Sequence, residues 1–295
     1  SAVVAAPVWA PPARAGSGPP ADVPAATLLF PYFEVDVDPA DTAGVTTLIA
    51  IHNTSASAAL AHVTLWTDLG IPTFFFDVYL TGYDVQTINL RDIFVSGYLA
   101  ATASDGQDSG DTISPQGPIS QDINYASCGT MGVLPYVNPA VDAPTRAHLV
   151  AWHTGSASPT TDTCAGYNGY GDDIARGYVT VDSVQSCSLQ TPATPGYFMG
   201  IADYRNILVG DYFVVHPGNN FMEAERAVAI EFSATDPLTD GEPAIDPITG
   251  GEIPDYTFYG RLVTWTGADH REALPSRWAA RYLENGSSYR VWRDP

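Results

Sequence analysis

The sequence predicts an all-β protein: an elaborated antiparallel β-sandwich with long surface loops and an extended N-terminal arm. Segments rich in β-branched and aromatic residues recur about every 8–12 positions, which is typical of sandwich strands. Turn-forming residues separate these segments. Gly and Pro contribute 26 and 24 of the 295 residues, a content that helix interiors tolerate poorly. Only Arg271 to Leu283 and Asn220 to Arg226 are candidates for short helical turns.

The first 26 residues are predicted to form an extended arm outside a single folded domain, residues 27–295. Prolines occupy positions 7, 11, 12, 19, 20 and 24, and this composition favours polyproline-like extension. Ser1 to Ala10 is apolar, and Ala13-Arg14-Ala15 has the small-x-small form that signal peptidase cuts. We therefore expect an exported protein. Its first residues are either leftover leader sequence or an arm that docks on another surface.

Strand patterns follow along the rest of the chain, separated by turns. The predicted strands are Thr47–Ile51, His62–Thr67, Phe74–Thr81, Val85–Leu90, Gly177–Val181, Asp211–Val215, Ala227–Phe232, Thr257–Trp265 and Tyr289–Trp292. Residues 101–173 are rich in Gly, Ser, Asp, Thr and Pro, so we expect long connections laid over the sandwich there. An exposed acidic loop is predicted over residues 233–256, because Asp236–Glu242 and Asp246–Glu252 repeat the same Asp-Pro-x-Thr turn chemistry.

The charge of the chain excludes several functions. There are 12 basic and 33 acidic residues, for a net charge of −21, and every basic residue is an arginine. Without lysine there is no Walker-type phosphate loop, no Schiff-base chemistry and no kinase ion pair. So negative a chain is repelled by nucleic acids and by anionic lipid. No apolar run reaches the roughly 18–20 residues of a membrane helix. We expect no nucleic-acid partner and no membrane insertion.

Two groups of carboxylates are candidate calcium sites. They are Glu34, Asp36 and Asp38 on one predicted strand, and Asp105, Asp108 and Asp111 in one predicted loop. The first group alternates with apolar residues, so a strand places it on one face, either fully solvated or sharing a cation. The second recurs every third residue in a Gly-containing loop, which suits the flexible oxygen coordination of calcium, with a bare surface loop as the alternative. The six histidines have no metal-ligand spacing, so zinc is not expected.

No catalytic signature occurs, and no enzyme is predicted. There is no GxSxG elbow and no cysteine in a protease context. A Ser–His–Asp triad or a carboxylate pair assembled across the fold remains an alternative, because geometry and not spacing defines such sites. The loop Gly166–Asp173 is rich in Tyr and Gly, which is typical of adaptable recognition surfaces for a sugar or a protein. An ordered loop without a ligand is the alternative.

Three cysteines in an exported chain allow at most one internal disulfide. We favour Cys164 with Cys187, because these two frame the Tyr/Gly loop and the strand after it. Cys128 with Cys164 is the alternative pairing.

Both ends of the chain are candidate interfaces with other copies. Five of the twelve arginines lie between positions 271 and 293. They either pair within the fold or meet an acidic patch on a neighbouring subunit. Tyr289–Arg293 has the aromatic and arginine content that is enriched at interfaces. The predicted interface residues are Val3, Val4, Val8 and Trp9 of the arm, and Arg277, Arg281, Arg290, Trp292 and Arg293 near the C-terminus.

Between Thr47 and Leu90 the order is an apolar strand, an Asn-Thr-Ser turn, an alternating strand, an Asp-Leu-Gly turn and further alternating strands. This order resembles secreted immunoglobulin-like domains. Ala175–Val181 and Thr257–Arg261 resemble secreted bacterial β-rich proteins of no assigned function. The resemblance implies export and β structure, and it adds no catalytic residue.

These features predict an exported structural protein, secreted or at the cell surface, that is a subunit of an extracellular filament or surface assembly. Its partners would be further copies of itself, with the arm docking on a neighbouring subunit. The first alternative is a calcium-supported sandwich that binds carbohydrate or protein through the loops Asp105–Asp111 and Tyr167–Asp173. The second is a secreted hydrolase. Because acidic bodies repel one another, assembly should depend on calcium, salt or arginine contacts.

Overall fold

The computed structural model describes residues 23–99, 141–167, 170–194, 197–203 and 205–231, and the backbone of residues 244–245 and 252–253. The predicted fold class is confirmed, because the chain forms two antiparallel sheets of five and four strands. The strands are β1 Thr27–Asp36, β2 Thr46–Asn53, β3 Ala59–Trp66, β4 Pro72–Leu80, β5 Val85–Asn89, β6 Ile174–Val184, β7 Leu208–His216, β8 Phe221–Arg226, β9 Val228–Ile230, β10 Ala244–Ile245 and β11 Glu252–Ile253. The helices are a π-helix Asp92–Ser96, α1 Ala143–His153, α2 Tyr197–Gly200 and a 3₁₀ turn Pro217–Asn219.

The five-stranded sheet has the order β4-β3-β6-β1-β9, and every pair in it is antiparallel. β1 contains Pro31, which cannot donate to a ladder and therefore belongs at an irregularity. A bulge lies there: Phe30 pairs with Val179 and Phe33 pairs with Gly177, so two residues of β1 face one residue of β6. Beyond the bulge, Glu34 lies directly opposite Arg176.

The four-stranded sheet has the order β5-β2-β7-β8 and packs on the first sheet. The alternating apolar side chains of both sheets form the main core, which includes Phe30, Phe33, Ile49, Val63 and Val181. This period-two burial is what the strand patterns of the sequence predict. The two sheets thus form the sandwich on which every candidate site lies.

The opposite face of the five-stranded sheet is also covered. A second apolar cluster there joins Leu29, Leu60, Trp66 and Val184 to Tyr197 of α2. For this reason all eight residues of β3 are buried, although their alternating sequence is typical of a strand with one solvent-exposed face. The segment after β6 therefore adds a third layer.

Two local predictions are wrong, and a third segment contains a short ladder that was not predicted. α1 lies within residues 101–173, where only connections were expected. Asp142 caps it by accepting from the Thr145 N–H, and a proline lies in its first turn, both of which are helix-start signals. The predicted helical turn Asn220–Arg226 is instead the strand β8, because its backbone pairs with β7. Within residues 233–256, β10 and β11 form a short antiparallel ladder.

Candidate functional site

The alternation predicted for Glu34 and Asp36 is confirmed, but arginines occupy this face. Arg176 Nε lies 3.7 Å from Glu34 Oε1, and Arg91 Nη1 lies 4.0 Å from Asp36 Oδ1. Asp38 follows in the turn and accepts from the Ala40 N–H at 2.8 Å. In the part of the chain that the structure describes, no group of three or more Asp, Glu, His or Cys side chains could hold a metal ion. The structure therefore does not bring these three carboxylates together as a cation site.

Arg91 fixes the connection between β1 and β2. Its guanidinium donates to the carbonyl oxygens of Asp36, Asp38 and Asp41, with a distance of 2.7 Å for Asp38. One guanidinium thus gathers three carbonyl groups and lies beside the Asp36 carboxylate. It thus places a positive charge beside one of the alternating carboxylates.

The Tyr/Gly loop is anchored to the sheet through Arg176. This guanidinium is nearly buried and donates to both carboxylate oxygens of Asp172 at 2.7 Å. It also lies 4.3 Å from the ring centroid of Tyr170, a cation–π contact. Tyr167 is 54 % exposed and packs edge-on against Tyr170. Asp172 and Tyr170 thus fasten the loop to Arg176, and among the described residues of the loop Tyr167 presents an exposed aromatic ring.

Asp68 joins the same loop to the turn between β3 and β4. Its carboxylate accepts from the Tyr167 N–H at 2.9 Å. Burial raises the pKa of Asp68, although this backbone hydrogen bond and the nearby Arg176 lower it. The contact holds the loop and the hairpin together at one end of the sandwich.

A buried polar row crosses the outer face of the five-stranded sheet. His62 lies in register with Asp77 on β4 and with Asp182 on β6, and Asp182 lies in register with Thr27 on β1. His62 Nδ1 is 2.8 Å from Asp77 Oδ1, and the Thr27 hydroxyl donates to Asp182 at 2.5 Å. All four residues are 0 % exposed. No local sequence pattern predicts this row, because strand register alone brings its four residues together.

The polar row anchors the third layer. The Tyr197 hydroxyl donates to Asp182 Oδ2 at 2.9 Å, and the Ser188 N–H lies 3.3 Å from Asp77 Oδ2. Nε2 of His62 is buried and has no hydrogen-bond partner among the described residues. Because these side chains are sealed from solvent, their arrangement here serves to hold the covering segment on the sheet.

Two histidines lie on α1 rather than on a strand. His153 Nδ1 is 2.8 Å from the Arg176 carbonyl oxygen, and its Nε2 is 2.7 Å from the Thr73 hydroxyl. Burial lowers the pKa of His153 to about 4, more than the Arg176 carbonyl raises it. His148 lies 2.8 Å from the Ser158 hydroxyl. His153 therefore joins α1 to β4 and β6 as a neutral imidazole.

The two edges of the four-stranded sheet are exposed. β5 contains no charged residue, and its Val85 and Thr87 are exposed. β8 is exposed at five of its six positions. Among the described residues, each of these strands has one partner strand only. Such edges present unpaired backbone groups that can accept another strand.

The predicted pairing of Cys164 with Cys187 is wrong. Cys164 is a free, exposed thiol, which excludes pairing with either Cys187 or Cys128. Cys164 lies on the segment before β6 and Cys187 lies on the segment after it. Cys187 is disulfide-bonded, and it packs against the second apolar cluster.

The other predicted site residues lie outside the described residues. They are Asp105, Asp108 and Asp111, the arm residues Val3, Val4, Val8 and Trp9, and the C-terminal residues Arg277, Arg281, Arg290, Trp292 and Arg293. The described chain starts at Val23, and Ala25 already pairs with Leu208 of β7. Ala25 therefore already belongs to the sandwich, one residue before the predicted end of the arm at residue 26.

No protein-family model, no curated protein and no solved structure matches the chain. None of the helices in the described ranges is long and apolar enough to cross a membrane.

Proposed function

We propose that this protein is an exported structural subunit that assembles with copies of itself by adding strands to the edges of its four-stranded sheet. The observation that carries the proposal is the exposure of β5 and β8, the two strands that end this sheet. Natural proteins usually protect such edges with charges, bulges or covering segments. Export is proposed from the apolar, Ala-rich segment at the start of the chain.

β5 is the edge that suits an apolar strand. The Asn53 N–H donates to the Asp84 carbonyl, and in an antiparallel ladder such hydrogen-bonded pairs alternate with non-bonded pairs. Continuing this alternation places Thr87, opposite Ala50, in a non-bonded pair. Its N–H therefore points away from β2, toward the free edge. The apolar arm residues Val3, Val4 and Val8 would pack beside this uncharged strand without burying a charge.

The position of the arm favours open-ended assembly. Ala25 pairs with β7 on the side that β8 occupies, so the described chain begins on the side of the sheet opposite β5. A donor at one edge and an acceptor at the opposite edge make a head-to-tail contact. Contacts of this kind generate rings or filaments. This geometry supports a filament or a surface layer over a closed dimer.

Deletion of residues 1–22 tests the proposal. The deletion stops there because Ala25 and Ala26 are buried in the sandwich. We expect a folded monomer at concentrations at which the full chain forms polymers, measured by sedimentation velocity and negative-stain microscopy, with circular dichroism as the folding control. Replacing Val8 and Trp9 by serine in the full chain provides a matched variant of unchanged length. Normal assembly of the truncated chain would refute the role of the arm.

A further inference from the structure

We propose that β8 is the docking site for the C-terminal segment Tyr289–Arg293 of a second copy, which adds to it as an antiparallel strand. This inference rests on the proposed self-assembly and names one of its contacts. The segment was predicted as a strand and an interface from its sequence, and it lies outside the described residues.

β8 is exposed on both of its faces in the structure of the single chain. Phe221 and Met222 are 48 % and 58 % exposed, and they point to opposite faces because neighbours on a strand alternate. A strand that pairs with β7 along its full length yet leaves two large apolar side chains in solvent suits a contact with another molecule.

Two glutamates determine which strand β8 can accept. Glu223 and Glu225 lie opposite Val214 and Tyr212 of β7, whose side chains face the core. Both glutamates therefore lie on the core-side face, at its exposed rim. Burial and these two carboxylates raise the pKa of Tyr212, consistent with this placement. Charges on the inward face of an edge strand oppose an uncharged partner or a second β8. An added strand that carries arginine places a positive charge beside these two glutamates.

The backbone groups of β8 that point outward also follow from its pairing with β7. The Ala227 N–H donates to the Gly210 carbonyl, so the alternation of the ladder directs the N–H and C=O groups of Met222 and Ala224 away from β7. A strand added at this edge bonds to these two residues. Glu223 then lies in a non-bonded pair, in which opposing side chains approach most closely.

One antiparallel alignment of the C-terminal segment with β8 gives each residue from Phe221 to Ala224 a compatible partner. It sets Phe221 opposite Trp292, Met222 opposite Val291, Glu223 opposite Arg290, and Ala224 opposite Tyr289. Aromatic pairs and opposite charges are the cross-strand pairs that stabilise sheets. The parallel alignment that keeps Glu223 opposite Arg290 sets Arg226 opposite Arg293 instead, a repulsive pair. Chemistry at the side chains therefore favours the antiparallel arrangement.

Charge reversal on each side of the contact tests the inference. Glu223→Arg alters the acceptor and Arg290→Glu alters the donor, and each single variant should raise the concentration needed for assembly by about tenfold or more, because like charges oppose each other. An equimolar mixture of the two variants restores the pair between chains. We expect the mixture to assemble as the wild type does, measured by light scattering and sedimentation velocity. Asp173→Arg and Arg205→Glu make the same changes in net charge at exposed positions away from this contact and serve as controls.

Every outcome of the charge-reversal experiment supports or refutes the docking of Tyr289–Arg293 on β8. If the single variants assemble like their controls while the wild type polymerises, β8 is not the acceptor and the proposed function stands. If the mixture fails but the double variant E223R/R290E assembles, the segment docks on its own chain, and the contact with a second copy is refuted. If the wild type remains monomeric throughout, self-assembly itself fails and this contact fails with it. Thermal melts that match the wild type establish that the exposed substitutions leave the fold intact.

Discussion

At the scale of single residues, His153 shows how one buried imidazole makes the fold sensitive to pH. Its two ring nitrogens contact the Arg176 carbonyl and the Thr73 hydroxyl. The ring also packs against Phe33 and Phe94. Burial lowers its pKa from 6.5 to about 4, the Arg176 carbonyl raises it less, and nearby His148 lowers it slightly. The folded protein therefore retains the neutral form where the unfolded chain takes up a proton.

The free energy of unfolding should accordingly fall as the pH is lowered from 6.5 to 4. Above pH 6.5 the contribution of His153 is fully present; below it, proton uptake by the unfolded chain removes up to about 3 kcal/mol. His153→Gln keeps a donor and an acceptor but does not titrate. We expect urea unfolding of this variant to show a flatter pH dependence than the wild type. Parallel curves for the two proteins between pH 4 and 6.5 would contradict the assignment.

At the scale of elements, β5 allows a direct test of strand addition. Thr87→Pro removes the N–H that points toward the free edge and leaves the ladder bonds to β2 in place, because proline lacks only this donor. We expect the melting temperature to change little while assembly is lost, measured by calorimetry and sedimentation velocity. Thr87→Val retains the N–H and should assemble normally. A proline variant that still polymerises would show that β5 is not the acceptor edge.

The elements that could be predicted from the sequence are those whose pattern matches their burial. Ile49 and Ile51 of β2 are buried and alternate with the half-buried Leu48 and Ala50, so the structure confirms the predicted strand. The sequence of β3 also alternates, yet His62 and Thr64 are buried under a layer that only tertiary packing creates. The local sequence of β8 favours a helical turn, but pairing with β7 outweighs this helix propensity. The polar row and the anchoring of the Tyr/Gly loop by Arg176 depend on strand register, which cannot be predicted from a local sequence pattern.

At the scale of the whole molecule, the few arginines in the described residues are used within the fold. Each of the five contacts a carboxylate or a carbonyl oxygen of its own chain. They are Arg91, Arg146, Arg176, Arg205 and Arg226. Such contacts lock a loop, a helix or a strand in place. The cations that the assembly hypothesis needs are therefore those outside the described residues, chiefly the C-terminal group that contains Arg290.

A net charge of −21 should make assembly depend on salt in two opposite ways. Raising NaCl from about 10 mM to about 150 mM shortens the Debye length from about 30 Å to about 8 Å, which screens repulsion between whole bodies. It affects a Glu–Arg pair at about 4 Å much less. The concentration needed for assembly should therefore fall over this range, and rise again near 1 M, where screening reaches the pairs themselves. Light scattering across the series measures this minimum, and a steady rise from the lowest salt would show that repulsion does not limit assembly.

Replacing part of the NaCl by CaCl₂ at constant ionic strength separates screening from a calcium site at Asp105, Asp108 and Asp111. Equal curves with and without calcium would leave the charge acting by screening alone.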